Sequence, residues 1–335
     1  MKALRLHGKG DLRLHDEPAP SAGTGELLLR VTAVGLCGSD RHWLLEGGIG
    51  DAVLAQPLVL GHEFAATIES GPRTGERVAV DPAIPCETCP TCDEGQRHLC
   101  PGLLFAGHGS TDGALRTLMA WPERKVHRLP DSVSDPEGAL VEPLGVALHA
   151  FDLGHIRPGM SAGVFGCGPI GLLLVQVLRL AGATAILAID PLAHRVGAAE
   201  AMGATQVFQA KQLPRGAGID VAFEAAGEDG ALESAIDAAR PGGRVVIVGI
   251  PAGDRTTFTA STARRKGLTL LLCRRMRSTD LPRAIRLVDQ GHIELGPLMS
   301  ERYSLSDWPG AFRGLAERRG LKTIVQPQAD EEAAA

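Results

Sequence analysis

Residues 161–190 read SAGVFGCGPIGLLLVQVLRLAGATAILAID. A short apolar run, SAGVF, leads into the glycine-rich turn GCGPIG. An apolar stretch of helical length follows, closes on Gly182, and passes into a second apolar run ending at Asp190. This is strand, turn, helix and strand again. Gly166 permits a tight turn, Gly168 lets the backbone approach a pyrophosphate, and Gly171 allows the helix to pack closely on the strand. The helix N-terminus, opened by Pro169 and Ile170, offers amide donors to an anion. Asp190 lies nineteen residues after Gly171, the spacing at which a carboxylate reaches an adenosine ribose. That carboxylate would repel a 2′-phosphate, so the expected cofactor is NAD rather than NADP. Arg195 is placed to stack on the adenine or to soften the repulsion.

The alternation continues through LAHRVGAAEAMG, TQVF, IDVAFEAAG, ALESAIDAAR, RVVIVGI and LTLLLC. Strands alternating with helices of about ten to fourteen residues predict a parallel, doubly wound sheet. Val248 and Ile250, in RVVIVGI, and Arg274, just beyond LTLLLC, are further cofactor candidates.

Upstream the pattern differs. ELLLRVTAVGLC, EFAATIES and GERVAV are short β-rich runs among dense glycine and proline, the pattern of a loop-rich β domain. A chain of 335 residues is long for one core, so more than one domain is expected. A net charge of −5 argues against nucleic acid or an anionic membrane as partner. The start, MKALRLHGKGDLRLHDEP, lacks an apolar signal-peptide core, and LLLVQVLRLAGATAILAI is interrupted by Gln176 and Arg179. A cytoplasmic protein is expected, with a disordered ADEEAAA tail.

Four of the seven cysteines, Cys86, Cys89, Cys92 and Cys100, fall in CETCPTCDEGQRHLC with spacing C-x2-C-x2-C-x7-C. In a reducing compartment such a cluster points to metal rather than disulfides. Four thiolates can close a tetrahedron round zinc and leave no open position, so this site is read as structural. A more dispersed set comprises Cys37 in GLCGSD, His62 and Glu63 in GHEF, and Glu142 in VEPLGVALH. Taken singly, a core thiol and satisfied polar groups account for these residues more readily than a metal does.

Read together, GLCGSDRHW, PLVLGHEF, the four-cysteine loop, LPDSVS, VEPLGVALHA and FGCGPIGLL resemble the zinc-dependent medium-chain alcohol and polyol dehydrogenases, in order and spacing, almost end to end. The resemblance implies an α/β plus β fold: a GroES-like catalytic domain (1–145), a doubly wound Rossmann NAD-binding domain (146–284), and a segment (285–335) returning to the catalytic domain. It implies two zinc ions per chain. Cys37 and His62 would bind the catalytic one, joined by Glu63 or Glu142, with the glutamates able to exchange. Ser39 and His42 match a proton relay, and Asp40 is placed to orient His62. The activity implied is hydride transfer from a secondary alcohol, a polyol or sugar alcohol above all, to NAD held beside the metal. The alternatives are an L-threonine, amino-alcohol or butanediol dehydrogenase, or a non-catalytic nucleotide-binding zinc protein. The family suggests a homotetramer, with a homodimer as the alternative, formed near RVVIVGI. The run GGIGDAVLAQPLVLGHE is similar to that of sorbitol and xylitol dehydrogenases. The chain departs from them where Cys273, Arg274 and Arg275 replace Phe-Arg-Tyr, an exchange that favours an anionic substrate. Trp43 is expected to cap the substrate pocket beside Arg274 and Arg275. Cys167 and Cys273 are expected in the core.

Overall fold

The computed structural model describes residues 1–210, 212 and 216–329, so the last six residues of the ADEEAAA tail lie outside the described residues. The chain forms two compact units: Met1–Glu142 together with the chain from Arg277 onward, and Pro143–Met276. The second crossing therefore comes earlier than the 284/285 boundary read from sequence. The helix Asp280–Asp289 belongs wholly to the first unit, where it buries Leu281, Ala284 and Ile285.

In the first unit the strand Glu26–Gly35 is central. It pairs with Glu63–Ile68, with Leu118–Pro122 and with Lys322–Gln326, all antiparallel. Arg77–Val80 and Val126–Arg128 extend the sheet one way, and Met299–Ser304 extends it the other way beyond Lys322–Gln326. Apolar side chains from these strands, Leu29, Val31, Val34, Phe64, Ala66 and Ile68 among them, form one buried core. A smaller sheet orders Asp11–Asp16, Lys2–Gly8 and Leu58–Val59.

The stretch that leads into the four-cysteine loop is rooted by a buried ion pair. Lys125 Nζ meets Asp81 at 2.8 Å, with both side chains under a tenth exposed. Asp81 also accepts from the Ala83 N–H, and its carbonyl accepts from the Trp121 indole. Breaking a buried pair by deleting one partner strands the other charge, at a cost of ~3–5 kcal/mol. Lys125→Met is expected to lower the urea midpoint accordingly; an unchanged midpoint would show that the Asp81 carboxylate is satisfied by the Ala83 N–H alone.

The second unit holds a six-stranded, wholly parallel sheet in spatial order Gln206–Phe208, Ala185–Ile189, Ser161–Phe165, Ile219–Glu224, Ala239–Ile247 and Thr269–Leu272. In chain order this is 3-2-1-4-5-6, the doubly wound arrangement whose ligand crevice lies at the carboxyl ends of the strands where the order reverses. Ser161–Phe165 is the first strand, and the helix Pro169–Leu180 follows its glycine turn. Strands buried on both faces are apolar throughout, and Phe165, Leu187, Ile189, Ala222 and Val245 pack with Leu232, Ala235 and Ile236 of the helix Asp229–Ala238. The RVVIVGI strand is paired on both sides, so it is not a sheet edge. That edge is Thr269–Leu272, where Leu272 is 79% exposed. Cys167 is buried as expected, whereas Cys273, just past the edge strand, is only partly covered.

Candidate active site and metal centres

The helix Gly38–Glu46 starts directly after Cys37, and Glu63 opens the strand Glu63–Ile68 directly after His62. Asp40 joins the two segments. Its fully buried carboxylate accepts from the Cys37 N–H at 2.8 Å and from the Gly61 N–H at 3.2 Å. Its Oδ1 stands 3.8 Å from His62 Nδ1, too far for a hydrogen bond, so Asp40 aligns the two backbones more directly than it orients the imidazole.

One potential ligand atom from each of Cys37, His62 and Glu63 lies within 4.8 Å of the others. His62 and Glu63 are buried. Glu142, also buried, falls outside that tight group but feels the charges of His62, Glu63 and Cys37. Ser39 Oγ stands 3.4 Å from His62 Nε2. His42 is half-buried, with Nδ1 held by Glu46 at 2.7 Å one helical turn on.

Burial pushes the Cys37 thiol up to about 12, helped by the Glu63 charge, and pushes Glu142 up to about 8. Cys37, Glu63, Glu142 and Asp40 thus crowd a buried site near Lys322, itself buried and in direct ion pair with Glu63. A divalent cation would offset much of the remaining negative charge and favour the ionised thiol and carboxylates. The donor set, one sulfur, one imidazole and carboxylate oxygen, suits zinc, and three protein ligands leave a position open for substrate.

The four-cysteine loop passes a different test. Cys86 and Cys100 sulfurs lie 3.4 Å apart, and those of Cys89 and Cys100 3.8 Å apart. Four zinc–sulfur bonds of about 2.3 Å in a tetrahedron put sulfurs ~3.8 Å apart. A Thr88 backbone hydrogen bond pulls Cys86 down to about 6. Glu87 takes a left-handed φ of 62° to turn the chain between Cys86 and Cys89. A zinc ion held by all four thiols would have no position left for substrate.

In the second unit Gly166 has φ 105°, and a Cβ there would sit 2.8 Å from the Ala226 nitrogen. Only glycine fits that turn. Asp190 is buried, accepting from the Cys167 N–H and from the Leu192 N–H, each at 2.8 Å. Each of its oxygens keeps acceptor capacity for a ribose hydroxyl. The Arg195 guanidinium lies 3.6 Å from where a Gly168 Cβ would be, over the glycine turn. Val248 and Ile250 sit just past the strand Ala239–Ile247, and the Val248 N–H donates to the Glu224 carbonyl at 2.8 Å. Arg274 is exposed; Arg275 adopts φ 57°, and its carbonyl lies 2.7 Å from His149 Nδ1.

Trp43 lies deeper than a pocket-capping residue needs to be. Its side chain is 1% exposed within the first unit's core, where the helix turns it inward, and the His108 ring stands against it at 5.2 Å. Phe105, whose ring centre lies 5.3 Å from that of His62, is better placed beside the metal ligands. Sequence reasoning also passed over Lys322, His108 and Glu224. Buried Glu224 accepts from the Ala226 and Gly227 N–H groups at 2.7 Å each, folding the turn that meets Gly166. Its signal was a lone carboxylate ending an apolar strand.

Two family models match the chain: the alcohol dehydrogenase GroES-like domain over residues 23–131 and the zinc-binding dehydrogenase over residues 169–290. Sorbitol dehydrogenase of Bacillus subtilis is 32% identical over 344 aligned residues, covering 98% of this chain and 97% of that protein. The chain belongs to the zinc-dependent medium-chain dehydrogenases. Among solved members of this family, a zinc-binding dehydrogenase from Sinorhizobium meliloti bound to NADP superposes with a TM-score of 0.89 at 31% identity, over 97% of this chain and 99% of that one. Galactitol-1-phosphate dehydrogenase from Escherichia coli superposes with a TM-score of 0.88 at 27% identity, over 98% of this chain and 100% of that one. As a zinc-dependent medium-chain dehydrogenase, the protein is an oxidoreductase that uses zinc and a nicotinamide nucleotide. Among the described residues no helix is long and apolar enough to cross a membrane.

Proposed function

We propose that the protein oxidises a secondary alcohol of a polyol or sugar alcohol to a ketone, with NAD as hydride acceptor. The observation that carries the reading is the contrast between its metal centres: three converging protein ligands at Cys37, His62 and Glu63, against four at the cysteine loop. When bound, zinc lowers the pKa of a substrate hydroxyl toward neutrality and NAD accepts the hydride. Cys37, His62 and a carboxylate, Glu63 or Glu142, hold the metal. Ser39, beside His62, takes the hydroxyl proton, and His42 passes it to solvent. Asp190 holds the adenosine ribose and Arg195 covers the glycine turn. A homotetramer, with a homodimer as the alternative, would use the open edge at Thr269–Leu272.

The zinc-loaded protein, given NAD with xylitol, sorbitol, galactitol, sugar acids, butanediol, L-threonine and simple alcohols, is expected to reduce the cofactor with polyols. Turnover of threonine or butanediol alone would replace the polyol reading. Asp190→Ala should weaken NAD about 10- to 100-fold, the value of a charged hydrogen bond of ~1.5–3 kcal/mol, and should weaken NADP less. Equal loss of both cofactors would reduce Asp190 to a brace for the Cys167 and Leu192 amides.

A second substrate class has its own support. Arg274 and Arg275 stand where sorbitol and xylitol dehydrogenases have Arg-Tyr, and one relative is named for a phosphorylated polyol. Arg275→Tyr should shift the kcat/KM ratio toward neutral polyols and away from anionic ones. An unchanged ratio sinks that reading.

A further inference from the structure

Glu63 and Lys322 belong to strands that are not neighbours. Both flank the central strand Glu26–Gly35: Gly35 is paired with Glu63 on one side and with Ile324 on the other. The two side chains meet across Gly35. A Cβ at Gly35 would collide with Glu63 Oε2 and come within 3.0 Å of Lys322 Cε. The missing side chain leaves a notch, and the ion pair fills it. Both side chains are 2% exposed, so the ammonium has no water to turn to. The same Glu63 carboxylate is one of the three converging ligand groups. With zinc held there, this carboxylate would face two cations, the metal and a fixed ammonium. Cys37 and Glu142 lie close enough to Lys322 for their charges to interact with it.

We propose that Lys322 is a positioning residue that competes with the metal for Glu63 and so keeps this ligand exchangeable, leaving the coordination position open for substrate. The inference rests on the zinc reading above. The buried carboxylates of Glu63, Glu142 and Asp40 and the Cys37 sulfur all gather here, and Asp40 also acts on Lys322. Removing the ammonium therefore adds one uncompensated negative charge to an already acidic site and leaves the metal as the cation for Glu63. Glu63 then stays on the metal, which holds it longer and meets substrate with a filled shell.

The test uses full-length holoenzyme. Zinc release to a chromogenic chelator is followed in the wild type, in Lys322→Met and in Lys322→Arg. Two release phases are expected, one per site, and the phase abolished by Cys37→Ala reports the catalytic metal. Lys322→Met should slow that phase about tenfold, lower kcat with substrate saturating, and leave the other phase unchanged. Cobalt put in place of the catalytic zinc should lose visible absorbance as its coordination number rises. Lys322→Arg, which restores the cation, should return both readings to within about threefold of wild type. A folded Lys322→Met protein with unaltered release and cobalt spectrum would overturn the proposal and leave Lys322 as a strut between strands. If the methionine variant does not fold, Glu63→Gln decides. Faster release there supports a shared ligand, and unchanged release overturns it. A wild type without a Cys37-dependent phase would instead overturn the zinc reading itself.

Discussion

Cys37→Ala and His62→Ala will each lower kcat by at least ~10³-fold while leaving NAD affinity within about threefold. On the proposed reading, in which Cys37 and His62 hold the zinc, the loss follows from removing a ligand of the Lewis acid, whose charge stabilisation is worth several kcal/mol at about 1.4 kcal/mol per tenfold in rate. The retention follows from the architecture. The glycine turn, Asp190 and Arg195 lie in the compact unit Pro143–Met276, and both metal ligands lie in the other. Turnover is followed by nicotinamide absorbance, cofactor binding by calorimetry and metal content by elemental analysis. Variants that keep their activity would remove Cys37 and His62 from the reaction. Variants that lose NAD binding along with activity would show that the two units do not do separate work.

Cys100→Ala should give the opposite profile. Cys100 is buried, and its sulfur approaches those of both Cys86 and Cys89. The loop between them carries few apolar side chains, so coordination rather than burial supplies its stability, with structural zinc sites binding at ~10–16 kcal/mol in peptides. Losing one of four ligands forfeits only part of that. A loss of ~4 kcal/mol, at about 2–4 °C per kcal/mol for a unit of this size, lowers Tm by ~10 °C. Zinc content should fall toward one per chain, while the folded fraction keeps kcat near wild type. A Cys100→Ala protein with normal Tm and two zincs would show that three cysteines suffice. One that stays folded but is inactive would move the chemistry to this loop.

The parts legible in the sequence were those that the backbone writes locally. Gly166, Gly168 and Gly171 act within one turn, and the four cysteines lie within fifteen positions, so their spacing already carries the geometry. The parallel, doubly wound sheet of the nucleotide unit followed from alternating periods; its strand order came only with the structure. What the sequence concealed depends on which strands become neighbours. Lys322 sits in LKTIV, where it reads as one polar residue in an ordinary strand; only the pairing of 322–326 with 26–35 sets it against Glu63. Trp43 had the right company in sequence, but the rotation of the helix Gly38–Glu46 placed it in the core. Phe105 reaches His62 from the short strand Leu104–Phe105, more than forty positions away, a separation no periodicity records.

The first unit is built from two stretches of chain on either side of the nucleotide unit. Lys322–Gln326 pairs with Glu26–Gly35, and the whole nucleotide unit is translated between them. During synthesis the nucleotide unit, contiguous in the chain, can fold on the ribosome as soon as it emerges, while the first sheet waits with an unpaired strand edge. Cys37, His62 and Glu63 are then assembled before their ammonium exists. A nascent chain arrested before residue 322 would present the metal with a Glu63 that nothing restrains. The strand Lys322–Gln326, made after the nucleotide unit, thus closes the sheet and, in the same step, brings the residue that loosens the metal's grip.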